Sequence, residues 1–83
     1  MKPAAPLEAG AFVRLTLGGS STAARVLLAS SNGHSLLLAL EGPLGTERGC
    51  YASTIALLRD TDEGPYRDLL LGEEVDLEPL PPA

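Results

Sequence analysis

Between residues 11 and 78 short apolar runs alternate with turn residues, the pattern of strands joined in a meander. Residues 11–17 place Val13, Leu15 and Leu17 on one face and Phe12, Arg14 and Thr16 on the other. That period of two is what a half-buried strand requires. Gly18-Gly19-Ser20-Ser21 turns the chain, and residues 23–30 and 34–40 are predicted as the next two strands. After an irregular stretch, 41–49, a fourth strand is expected over 50–58, with Tyr51, Ile55 and Leu57 on one face. Asp60-Thr61-Asp62-Glu63-Gly64-Pro65 is a polar turn, and 66–77 forms a last unit.

The joint at Ser31-Asn32-Gly33 also fixes a register. A two-residue turn at Asn32-Gly33 would put Leu36, Leu38 and Leu40 on the face of Arg25 and send Val26 and Leu28 to the other. A three-residue loop instead joins Ala24, Val26 and Leu28 to the three leucines on one apolar face, with Gly33 in the left-handed position such a loop needs. A one-residue slip exchanges the two faces, so the hydrophobic pattern selects the three-residue loop.

The last unit reads as a hairpin turning at Leu71-Gly72, although its leucines suit a helix over 66–71 as well. Tyr66-Arg67-Asp68-Leu69-Leu70-Leu71-Gly72-Glu73-Glu74-Val75 resembles the hairpin that closes the C-terminal β-sandwich domains of many glycosidases. That resemblance implies a local shape, not sugar chemistry. The order of short strands and tight turns is similar to the SH3-like barrels. The expected fold is therefore all-β, a small antiparallel barrel of five or six strands, with one sheet edge left open because so small a sheet seldom closes. Residues 1–10 read as an extended arm, 11–78 as the single barrel domain and 79–83 as a proline-rich tail, since Pro79, Pro81 and Pro82 oppose a continued central strand.

Composition changes the picture in two ways. In 83 residues the aromatics amount to only 4%, so leucine has to fill the core. The charge, −5 in total, is divided unevenly. Residues 60–78 carry Asp60, Asp62, Glu63, Asp68, Glu73, Glu74, Asp76 and Glu78 against Arg67, a balance of −7. The preceding residues carry Lys2, Arg14, Arg25, Arg48 and Arg59 against Glu8, Glu41 and Glu47, a balance of +2. With a single cysteine, Cys50, no intrachain disulfide and no cysteine-based zinc site is expected. The first residues hold no apolar run of signal-peptide length, and 36–40, the longest apolar stretch, is too short to cross a bilayer. A cytoplasmic protein is expected.

Candidate chemistry is sparse. His34, the only histidine, falls at a strand end beside a turn, and Cys50 reads as a structural small hydrophobe. Asp60, Asp62 and Glu63 lack the spacing of a calcium loop. Gly18-Gly19-Ser20-Ser21 lacks the following helix that a phosphate cradle needs. No catalytic residue, metal or cofactor is expected. Small barrels often bind nucleic acid, but one lysine, five arginines and an acidic total supply little of the phosphate-neutralising term.

The remaining feature is the second face of the sheet. In the three-residue register Leu27 falls opposite Leu37, Arg25 opposite Ala39 and Ala29 opposite Ser35, with Phe12 and Arg14 alongside. An apolar patch flanked by charge marks an interaction site unless the arm or the closing hairpin covers it. The expectation is a non-enzymatic protein-interaction module, associating with itself as a homodimer or with another protein through Phe12, Arg14, Arg25, Leu27 and Leu37. The acidic 60–78 segment of one subunit would meet Arg14 and Arg25 of the other. A nucleic-acid-associated barrel using Phe12, Arg14 and Arg25 is the alternative, and a small hydrolase or ligand-binding barrel built on His34 and the acidic turn comes third.

Overall fold

The computed structural model of the chain describes residues 7–81. Eight strands follow one another: β1 (Phe12–Leu17), β2 (Ser20–Ala29), β3 (Ser35–Leu40), β4 (Leu44–Thr46), β5 (Gly49–Tyr51), β6 (Thr54–Leu58), β7 (Tyr66–Asp68) and β8 (Glu74–Pro79). Six of them form a closed antiparallel barrel in the order β1-β2-β3-β6-β7-β8, and β4 and β5 pair as a separate ribbon inserted between β3 and β6. Val13, Leu15, Leu17, Ala24, Val26, Leu36, Leu38, Ile55, Leu57 and Val75 point inward and are buried, with Leu44 of β4 buried beside them. Each fully buried aliphatic side chain contributes about 1.5–3 kcal/mol, so a leucine-rich interior holds the barrel with Tyr66 as its single buried aromatic.

The ring is closed where an open edge was expected. β8 pairs with β1 from Thr16↔Asp76 to Val13↔Pro79, and the Leu80 amide donates to the Phe12 carbonyl at 2.9 Å. Pro79, read from sequence as the start of a tail, is thus the last residue of a strand. It sits between ladder hydrogen bonds, where its missing N–H costs nothing. Of the arm expected over 1–10, residues 1–6 lie outside the described residues. Leu7 packs against the core, and the Gly10 amide donates to the Val26 carbonyl at 2.7 Å.

Three turns depart from the sequence reading. β2 begins at Ser20, so the first hairpin turns on Gly18-Gly19 alone, with Gly18 at φ 60. The second closes on Ser30 and Ser35, whose backbone bond spans 3.0 Å, giving a four-residue loop with Gly33 at φ 76. The expected register survives from Ala24↔Leu40 to Val26↔Leu38, then shifts, so that Leu28 lies opposite Leu37 and Ala29 opposite Leu36. A bulge at Leu27 absorbs the extra loop residue and keeps both Leu36 and Leu38 inside. Its consequence is that Leu28, expected in the core, faces outward, while Leu27 is half-buried in the bulge and does not oppose Leu37. Finally, the strand expected over 50–58 is two strands separated at Ala52-Ser53. Gly45 permits the ribbon beside it: a β-carbon there would stand 2.5 Å from the Gly49 carbonyl oxygen.

Residues 66–77 are a hairpin, not a helix. Asp68, on the inner side of β7, is buried, and its carboxylate accepts hydrogen bonds from the Leu71 amide at 2.6 Å, the Glu73 amide at 2.7 Å and the Tyr51 hydroxyl at 2.5 Å. The Gly72 amide donates to the Asp68 carbonyl at 3.0 Å, and Gly72 takes φ 74. One carboxylate therefore ties the closing turn to itself and to the β4–β5 ribbon.

Candidate association surface

The barrel sets outward-facing side chains in rows across its strands. One row runs Phe12, Arg25, Ala39, Thr54. The next runs Leu28, Leu37, Ala56, and is extended by Leu69, whose amide donates to the Ala56 carbonyl at 3.2 Å. A third runs Ser35, Leu58, Arg67, Glu74. The middle row is apolar throughout. Leu28 is 65% exposed, Leu69 63% and Leu58 40%. Together with Leu37 and Ala56 they line an open groove of about 460 Å³. Beyond Leu58 and Leu69 the surface continues into a hollow of about 410 Å³ that includes Arg59 and Arg67. Large apolar side chains grouped on one sheet face mark an interaction site far better than the same side chains scattered singly.

Of the residues that sequence reasoning placed on this face, Phe12, Arg25 and Leu37 belong to it. Phe12 and Arg25 are paired neighbours one row from the groove. Leu27 is displaced into the bulge and its place is taken by Leu28. Arg14 stands apart, paired in register with Glu78 of β8. The charge division along the chain is correspondingly reduced in the fold, because β8 lies between Arg14 and Arg67, in register with Glu78 and Glu74 respectively. Leu58 and Leu69 complete the groove without having been picked out. Leu58 was legible as an outward residue of its strand, but Leu69 is outward only because Asp68 folds the closing turn as it does.

The polar groups nearby bridge elements of the barrel. Tyr66 donates its hydroxyl to the Gly33 carbonyl at 2.5 Å, joining the closing hairpin to the β2–β3 turn, and the Arg59 guanidinium lies 4.6 Å from the Tyr66 ring centre. Arg59 Nε is buried without a hydrogen-bond partner among the described residues. His34 Nε2 and Asp62 Oδ1 are 2.7 Å apart, an exposed pair linking two loops. Among the described residues no three histidine, cysteine or acidic side chains converge as metal ligands. Cys50 is exposed on β5 and does not fill the core.

Burial pushes the Tyr51 phenol up to about 12, and the hydrogen bond to Asp68 adds to it. Burial also acts to raise the Asp68 carboxyl, but the bonds from Tyr51 and from the Leu71 and Glu73 amides outweigh it and hold the group below its ordinary 3.8. The sign follows from linkage. A carboxyl whose folded-state value lies below its unfolded one contributes stability that is complete above the unfolded value and is lost as pH falls through the folded one. Acid denaturation followed from pH 5 downward should therefore destabilise the wild type more steeply than Asp68→Asn, and parallel curves would contradict this role. Tyr51 works in the opposite sense: its stabilisation is present below its ordinary 10 and is lost as pH rises through about 12.

These features define a class: a small closed antiparallel β-barrel with an apolar groove on its outer face. Compared with known proteins, the chain matches no family model, and no curated protein or solved structure shows significant similarity to it.

Proposed function

We propose that the chain is a non-enzymatic protein-association module on an SH3-like small barrel, and that it associates with itself through the outer face of β2, β3 and β6. The observation that carries this reading is the unbroken apolar row Leu28–Leu37–Ala56–Leu69, its end leucines exposed and Leu37 and Ala56 half-buried between them, flanked by Phe12 and Leu58. A fold this small gains from burying such a face, because a short chain covers too little of its own apolar surface. The short strands and meander order support the SH3-like assignment. The nucleic-acid reading is weaker, since Arg14 faces Glu78 and the arginine beside Phe12 borders leucines rather than a basic stripe.

Leu37→Arg tests it. The substitution places a charge in the middle of the groove on a half-buried residue of the outer face. The variant should melt cooperatively as a folded monomer at concentrations where the unmodified chain is a dimer by light scattering. A variant that is folded and still dimeric would remove this face from the contact.

A further inference from the structure

Leu70 is the most exposed of the large apolar side chains among the described residues, at 77%, and it lines neither the groove nor the hollow. It projects from the closing turn next to Leu69, which forms one wall of the groove. The molecule thus carries a bare apolar knob beside a bare apolar groove. A two-fold axis uses that combination twice, each copy's knob entering the other's groove. Charge is arranged to match. Arg25 lies exposed in the row on one side of the groove, while Arg67, in the row on the other, stands in register with Glu74 of its own chain. Arg25, whose register neighbours are Phe12 and Ala39, forms no ion pair among the described residues. The chain that follows the knob presents Asp76, exposed and in register with the uncharged Thr16.

We propose that the occupant of the groove is the closing turn of a second copy: Leu70 of each subunit seats against Leu28 and Leu37 of the other, and the exposed Asp76 of β8 approaches the other's Arg25. The inference rests on the self-association proposed above and adds the seating to it. It differs from a groove-to-groove contact, in which Leu70 would remain in solvent.

The experiment uses two surface variants of the full chain, Leu70→Asp and Leu28→Lys, each checked for a cooperative melt matching the unmodified chain at concentrations low enough to separate subunits. Alone, each should weaken dimerisation about 30-fold or more, the scale of losing a buried apolar anchor. Mixed in equal amounts they should recover dimers, since one contact keeps both leucines and the other joins the introduced carboxylate to the introduced ammonium. Sedimentation velocity reads the result. If the unmodified chain dimerises but Leu70→Asp dimerises equally well, or if the mixture stays monomeric, the seating is overturned while self-association through the face stands. If the unmodified chain is itself monomeric, the parent reading fails and the seating with it.

Discussion

Asp68→Ala is expected to remove about 3–5 kcal/mol of stability, an effect out of proportion to a single polar side chain in a turn. The carboxylate is buried, and three donors converge on it: two backbone amides of the closing turn and the Tyr51 hydroxyl. Alanine leaves those donors without an acceptor in a site from which water is excluded. Each such group costs about 1–3 kcal/mol, partly relieved where the turn can open to solvent. A domain of 83 residues has roughly 4–12 kcal/mol in total, so the variant should sit near the edge of folding. Asp68→Asn keeps the shape but turns one acceptor into a donor, and should cost about half as much. Guanidinium denaturation measures both. An alanine variant within about 1 kcal/mol of wild type would show that the closing turn does not depend on this carboxylate.

The second large effect distinguishes the two leucines of the bulged hairpin. Leu38 is fully buried, and Leu38→Ala should cost about 2–5 kcal/mol through lost transfer free energy and the cavity left behind. Leu28, which an unbroken register would place on the same inner face, is outward, and Leu28→Ala should cost no more than about 0.5 kcal/mol in the folding of the monomer. The monomer qualification matters, because the same substitution removes part of the proposed contact. Thermal melts at concentrations low enough to separate subunits isolate the folding term. Equal costs at the two positions would mean that the bulge is absent and that Leu28 belongs to the core.

These contrasts mark where the amino-acid pattern is informative. β1 and β3 are legible because one face of each is buried, so alternation of apolar and polar residues maps directly onto inside and outside. The left-handed Gly33 and the pairing of Arg25 with Ala39 were legible for the same reason. The bulge was not. β3 alternates identically whether or not its partner carries an extra residue, and Leu27 and Leu28 are adjacent residues of one type, so nothing in the sequence says which of them is displaced. Closure of the barrel was also hidden, since Pro79 argues against a strand unless it falls between ladder bonds.

The candidate surface shows the same division. Phe12, Arg25 and Leu37 were accessible from strand parity. Leu69 and Leu70 were not, because their exposure is a consequence of the hydrogen bonds that Asp68 makes three and five residues further on. The division of charge along the chain suggested that an acidic half of one subunit would meet a basic half of another. In the fold β8 lies directly beside β1, and Glu78 already faces Arg14 within one chain. Glu74 stands in the same relation to Arg67, so what remains for an intermolecular contact is the apolar row with Arg25 beside it.

The most direct test of this account is the absolute mass of the unmodified chain by sedimentation equilibrium, across a concentration series at low and high salt. The account predicts twice the chain mass at micromolar concentration and little loss of dimer at high salt, since the contact is mainly apolar and salt screens only its flanking charges. A single-chain mass at every concentration and both salts would contradict it.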